Sequence, residues 1–192
     1  WLGTNRGLSC IQYSTDEVSR MVATTSPNSL SSSSINELFT DKRGTVWIGT
    51  YFGGVSYFNP SQQNYNYVVP GEGDMPNYPA IGSFCEDNSG KVWVCSEGGG
   101  VYCYHPENQS LKNFRTTNSA ISSNYIKKII NDPLTGKLWI GADNTGVLNS
   151  IDPVTNVITR HALTLPDGYI PRAVFAMAVH GNVVYVGTEM GV

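Results

Sequence analysis

Three histidines, fifteen carboxylates and four cysteines are the side chains of this 192-residue chain that could move a proton, attack a substrate or hold a metal. Acid-base chemistry needs two such groups close enough to push their pKa values apart. Their spacing argues against that here. His105 precedes Pro106 in a slot that Asn59 and Asp152 fill elsewhere, and His180 falls where Asp41, Asp87 and Asp132 recur, so both are expected to serve turns. His161 is expected on an outer strand with its ring in solvent. Cys10, Cys85, Cys95 and Cys103 lack the paired spacing of metal ligands and are expected as buried thiols acting as small hydrophobes, in preference to a disulfide. A strand-to-helix nucleophile elbow and a phosphate-binding glycine loop are both missing, and Gly98-Gly99-Gly100 is expected to make a turn. No catalytic residue, metal or cofactor is expected, and the chain is not expected to be an enzyme.

The elements that position these residues come from a repeat. WLGT at Trp1, VWIGT around Trp47, VWVCS around Trp93, LWIGA around Trp139 and VYVGT around Tyr185 lie 46 residues apart. Before the aromatic stands Asp41-Lys42-Arg43-Gly44, Asp87-Asn88-Ser89-Gly90 or the longer Asp132-Pro133-Leu134-Thr135-Gly136, with His180-Gly181-Asn182 a shortened copy. Asp caps a turn through its side chain and Gly takes a positive φ, which is hairpin chemistry. An Asp box of the sialidase kind would be one residue shorter. A second turn follows at Gly7-Leu8, Gly54-Val55, Gly100-Val101, Gly146-Val147 and Gly191-Val192, and a third at Asn59-Pro60, His105-Pro106 and Asp152-Pro153.

Each unit therefore has four strands, A to D, joined by three hairpins. In the second unit they are predicted at Ile35 to Thr40, Val46 to Thr50, Val55 to Phe58 and Tyr65 to Val69. Strand B is apolar on both faces, as in a sheet sandwiched between neighbours, with the Trp between blades and the nearby Gly allowing close approach. The predicted fold is all-β: a β-propeller fragment of four-stranded antiparallel blades with a 46-residue repeat. Blade units are placed at about 1–30, 31–76, 77–121 and 122–169, with 170–192 incomplete. The chain begins and stops at strand B, so a piece of a larger ring is expected. The alternative is a four-bladed ring closed by Val174 to Val179 beside Trp1 to Thr4.

In such a meander the B-to-C and D-to-A connections emerge at one end, and loops on a rigid scaffold carry function. The B-to-C turns change from unit to unit, through Asn5-Arg6, Tyr51-Phe52, Glu97, Asp143-Asn144 and Glu189-Met190. Exposed rings can stack on sugars while amides, carboxylates and guanidinium groups bond hydroxyls. The candidate ligand contacts are Tyr51, Phe52, Tyr78, Tyr125 and Tyr169, with Arg6, Glu97, Asp143, Asn144 and Arg172 as the polar partners. A formal net charge of −3 and no Lys/Arg cluster disfavour nucleic acid. The longest uncharged apolar stretch, Ala173 to Val179, is too short to cross a bilayer, so no membrane insertion by this segment is expected.

The unit itself resembles the two-component regulator propeller repeat: a Ser-rich lead-in, as in Asn28-Ser29-Leu30-Ser31-Ser32 and Asn118 to Ser123, then Asp-x-x-Gly-x-x-Trp-Ile-Gly-Thr, then Gly-Val and an aromatic. Cys95 in place of Gly, Ala142 in place of Thr and Tyr185 in place of Trp depart from it. The resemblance implies a periplasmic sensor region of a bacterial hybrid two-component system that recognises an oligosaccharide, with its kinase outside this segment. It also implies a second propeller or self-association as partner. A structural scaffold for dimerisation is the alternative function, and a propeller hydrolase or lyase a third.

Overall fold

The turn-forming Asp, Gly and Pro residues cut the chain into short antiparallel strands, with no helix among the described residues. The computed structural model describes residues 1–26, 29–60, 65–68 and 80–191. It divides into two compact units, Trp1–Ile81 and Gly82–Val192.

In the first unit β1 (Leu2–Thr4), β2 (Gly7–Gln12) and β3 (Glu17–Met21) form one sheet in chain order, and β4 (Ile35–Thr40), β5 (Val46–Thr50), β6 (Val55–Phe58) and β7 (Tyr65–Val68) form the next. The four strands of this second sheet coincide with those predicted; Val69 lies outside the described residues, as do Asn28 and Val192. The second unit holds two more meanders. One joins β8 (Ile81–Glu86, its first residue belonging to the preceding unit), β9 (Val92–Ser96), β10 (Gly100–His105) and β11 (Ser110–Phe114). The other joins β12 (Ile126–Asn131), β13 (Leu138–Ala142), β14 (Val147–Ile151) and β15 (Ile158–Ala162). β16 (Val174–His180) and β17 (Val183–Thr188) make a two-stranded sheet.

β5 and β9 are buried along their whole length, as strands covered on both faces must be. Within the first unit β1 packs on β4, and Leu8, Ile35, Val46, Ile48 and Phe58 share one core. Within the second, β12 lies against β9, and β16 against β12 and β13. A core running from Trp93 and Cys95 through Ile126 and Ile140 to Ile151 fills the space. Ser83 Oγ accepts the Ile129 amide at 2.9 Å, so successive sheets are also joined by a buried hydrogen bond. Glycine permits close approach between sheets: a Cβ on Gly3 would meet the Ile35 side chain at 2.6 Å, and one on Gly141 the Val174 side chain at 2.7 Å. Cys85, Cys95 and Cys103 are buried free thiols as expected, whereas Cys10, also free, is only half-buried on β2. Burial raises the first two well above the ordinary thiol range, and Cys103 is pushed up to about 12.

The repeated aromatic does not sit identically in every sheet. Trp47 and Trp93 are fully enclosed, at 2% and 0% exposure. Trp47 stacks on Tyr57 of the adjacent strand at 4.8 Å and Trp93 on Phe114 at 5.5 Å, both within their own sheets. Each indole N–H donates to the turn aspartate, Trp47 Nε1 to Asp41 Oδ2 at 3.1 Å and Trp93 Nε1 to Asp87 Oδ2 at 2.8 Å. Trp139 is half-buried. Trp1 and Tyr185 correct the expectation of five equivalent wedges, since they are 44% and 47% exposed. Trp1 meets Phe58 in a T-shaped contact, with ring centroids 4.9 Å apart.

Every inner strand whose pairing is described begins with a β-bulge at its second residue. The register shifts between Ile35 and Glu37, between Ile126 and Lys128, and between Val174 and Ala176. Asn36, Lys127 and Phe175 are thereby left outside the ladder. Bulges of this kind re-aim a side chain and raise the local twist.

Candidate functional site

The B-to-C turns are rigid because the residue closing strand B pins them. Thr4 Oγ1 donates to the Gly7 carbonyl at 2.9 Å and accepts the Arg6 amide at 3.1 Å. Thr50 does the same for Gly54 and Gly53, at 3.0 and 2.8 Å, and Thr188 for Gly191 and Met190, at 3.1 and 3.2 Å. Ala142 has no hydroxyl, and in that turn Thr145 Oγ1 accepts the Val147 amide at 3.3 Å instead. The A-to-B turns are held by aspartate, as expected. Asp41 Oδ1 takes the amides of Arg43 and Thr45 at 2.9 and 3.0 Å, and Asp87 Oδ1 those of Ser89 and Lys91 at 2.8 and 3.1 Å. Burial pushes both carboxyls up, yet the Trp indole, backbone amides and neighbouring side chains outweigh it and hold them below the ordinary value. These acids are structural clamps.

In the first unit Tyr51 and Phe52 project from the tip of their turn, with ring centroids 6.1 Å apart and planes tilted by 41°. Phe52 is 77% exposed. Arg6 is exposed on the turn of the preceding sheet, and its carbonyl accepts Arg20 Nη2 at 2.5 Å. Tyr78 lies outside the described residues.

In the second unit the remaining candidates do converge, but with unequal roles. Glu189 binds the Arg172 and Ala173 amides at 2.5 and 3.1 Å and receives the Tyr169 hydroxyl at 3.2 Å. Its carboxyl is pushed down to about 2, chiefly by the Arg172 amide. Burial and the Glu189 bond raise the Tyr169 phenol. Tyr169 and the Arg172 backbone are thus committed to holding their own loop. Asn144 adopts φ 61° and donates its amide to the Arg172 carbonyl at 2.6 Å, again a structural task. Glu97, Tyr125 and Asp143 form the remaining group: Glu97 bridges to Tyr125, the Asp143 amide donates to the Tyr125 carbonyl at 2.9 Å, and Asp143 bridges to Ala173. Lys127, which the sequence analysis did not single out, stands between the acids, with Nζ 3.3 Å from Glu97 Oε1 and 3.7 Å from Asp143 Oδ2. The row through the second residue of strand A, Asn36, Gly82, Lys127 and Phe175, shares no side-chain type, so the sequence carries no signal that would have found it.

His161 corrects another expectation. Its ring is half-buried, 5.0 Å from the Trp139 ring, and Nε2 is 2.9 Å from Ser150 Oγ. Among the described residues Trp139 Nε1 has no acceptor at full hydrogen-bond geometry: in the longer turn Thr135 Oγ1 donates to Asp132 Oδ2 at 2.6 Å, and the indole adds only the smallest of the effects that lower the Asp132 carboxyl. Among the described residues no three His, Cys, Asp or Glu side chains are placed to hold a metal. No helix among them is long and apolar enough to cross a membrane.

Residues 29–52 match the family model of the two component regulator propeller, so this segment carries the repeat that the motif resembles. No curated protein matches the chain. Among solved structures, the extracellular domain of a protein assigned as a hybrid two-component system of Bacteroides thetaiotaomicron superposes with a TM-score of 0.75 at 20% identity, covering 98% of this chain and 24% of that one. The extracellular domain of a protein assigned as a one-component system of the same organism gives 0.77 at 21% identity, covering 100% and 25%. A protein assigned as a gluconolactonase gives 0.62 at 14%, covering 98% and 66%. The chain spans about a quarter of the length of the first two. At these identities the likeness establishes the fold, a β-propeller architecture of antiparallel blades, and the same fold occurs in these extracellular domains and in an assigned gluconolactonase alike.

Proposed function

We infer that the chain is an extracytoplasmic sensor module that recognises an oligosaccharide and passes the signal to a kinase borne elsewhere in a longer protein. The observation that carries this reading is the exposed Tyr51–Phe52 pair on a turn fixed by Thr50. Tilted rings on a rigid turn offer a stacking face to a sugar at low entropic cost. The regulator-propeller match over the same residues supports the sensing context. Calorimetric titration against a glycan panel tests it: heat is expected for at least one glycan, and the Tyr51→Ala/Phe52→Ala variant is expected to weaken that binding roughly tenfold. No heat for any glycan overturns the reading.

One observation favours a second reading, a self-associating scaffold. Val183 and Tyr185 of β17 stand exposed, whereas Trp93, the counterpart of Tyr185 in β9, is enclosed. An apolar strand face of this kind pairs readily with a second copy. Sedimentation that depends on concentration, and that Val183→Lys suppresses, is its expected signature.

A further inference from the structure

In the second unit one bulge places a cation between two acids. The register passes from Ile126 opposite Ala142 directly to Lys128 opposite Gly141, so Lys127 has no partner in the ladder. The flanking framework is constant, with Ile35, Ile126 and Val174 all buried at 7%, 0% and 2%, while the bulged residue itself changes in each sheet. A slot fixed in backbone and free in side chain is where a repeat scaffold can vary what it recognises.

The chemistry of the slot narrows the ligand. Nζ carries three N–H donors, and the two contacts to Glu97 and Asp143 leave one free. Glu97 Oε2 and Asp143 Oδ1 have no partner among the described residues. The three side chains are partly exposed, at 38%, 26% and 22% for Glu97, Lys127 and Asp143. A donor between two acceptors matches vicinal hydroxyls: each hydroxyl can donate a hydrogen bond to a carboxylate oxygen, and one of them can accept the remaining ammonium N–H. One positive and two negative charges leave the group net negative, which repels a carboxylated or sulfated ligand. Tyr125, 53% exposed and bridged to Glu97, supplies an adjacent ring.

We propose that Glu97, Lys127 and Asp143, with the Tyr125 ring beside them, form a recognition site for the vicinal hydroxyls of an uncharged sugar unit. The proposal rests on the oligosaccharide reading above and adds the class of sugar and the residues that select it. The test titrates the whole chain and its Lys127→Met, Lys127→Gln and Glu97→Gln variants. Neutral probes are xylo-, cello- and manno-oligosaccharides; acidic probes are oligogalacturonate and chondroitin sulfate oligosaccharides. The expected result is heat with a neutral probe, none with the acidic ones, and binding weakened roughly tenfold or more by each variant. Circular dichroism checks that each variant is folded, and Glu97→Gln, which keeps the shape of its side chain, carries the test if the Lys127 variants do not fold. Neutral binding indifferent to the folded variants overturns this site and leaves the oligosaccharide reading standing. Binding of acidic probes alone overturns the class of ligand, again with that reading intact. Failure of every probe overturns both.

Discussion

The clearest energetic difference between two like residues is that between Trp93 and Trp139. Trp93 donates to a fully buried carboxylate, and Phe in its place strips one bond from Asp87 Oδ2 while keeping most of the apolar area. A bond to a buried charged acceptor is worth about 1.5–3 kcal/mol. Trp139 is only half-buried and its N–H interacts at most weakly with Asp132, whose Oδ2 already accepts Thr135 Oγ1, so removing that N–H costs the carboxylate little. Urea denaturation is expected to show Trp93→Phe destabilised by about 1.5–3 kcal/mol and Trp139→Phe by less than about 1 kcal/mol. Equal losses would mean that the indole–aspartate bond adds nothing. The Asp-x-x-Gly-x-x-Trp spacing announces a turn and a buried ring; that the two residues bond each other is not written in it, because only the curl of the hairpin returns the indole to its own turn.

At the scale of the element, the contact between sheets depends on a hydrogen atom where a methyl would stand. Gly141 faces Val174 closely enough that a Cβ would sit 2.7 Å from Val174 Cγ1, whereas at the same slot of β17 a Cβ on Gly187 would find Ala176 Cβ at 3.3 Å. Overpacking of a fixed interface costs about 1–3 kcal/mol. Gly141→Ala is therefore expected to lower stability by about that much, and Gly187→Ala by less than about 1 kcal/mol, with denaturant midpoints as the measure. The four strands of the second sheet were legible in full, since turn residues fix hairpins locally. The bulges were not. They add one unpaired residue without altering the apolar pattern, so nothing in the spacing distinguishes Lys127 from its neighbours.

Across the whole molecule, acid lability follows from carboxylates that the fold holds ionised. Asp41, Asp87, Asp132, Asp152 and Glu189 all have pKa values lowered on folding. A group depressed in this way contributes fully above its unfolded value, 3.8 for Asp and 4.5 for Glu, and loses that contribution as pH falls through the folded value. Denaturant midpoints are expected to stay level from about pH 7 to about pH 5 and to fall steadily below about pH 4. Asp87→Asn removes one of the five, so its midpoint is expected to start lower and to fall less steeply over the same acid range. A variant that kept the wild-type slope would contradict the assignment of Asp87 as a clamp ionised in the fold.

What the sequence alone determined is the blade: strand order, turn positions, the aromatic of strand B and the varying B-to-C turns. All of these depend on contacts within a few residues or on a period that composition cannot disguise. The tertiary structure decided which varying residues are available. Tyr169, Asn144 and the Arg172 backbone look like ligand contacts in the sequence, yet Glu189 and the loop's own amides occupy them. Lys127, silent in the sequence, is brought between Glu97 and Asp143 from a different strand of its own sheet and from the neighbouring sheet. Such a meeting depends on how consecutive sheets stack, and stacking is a property of side chains some 16 to 30 residues apart in the chain that no local pattern records.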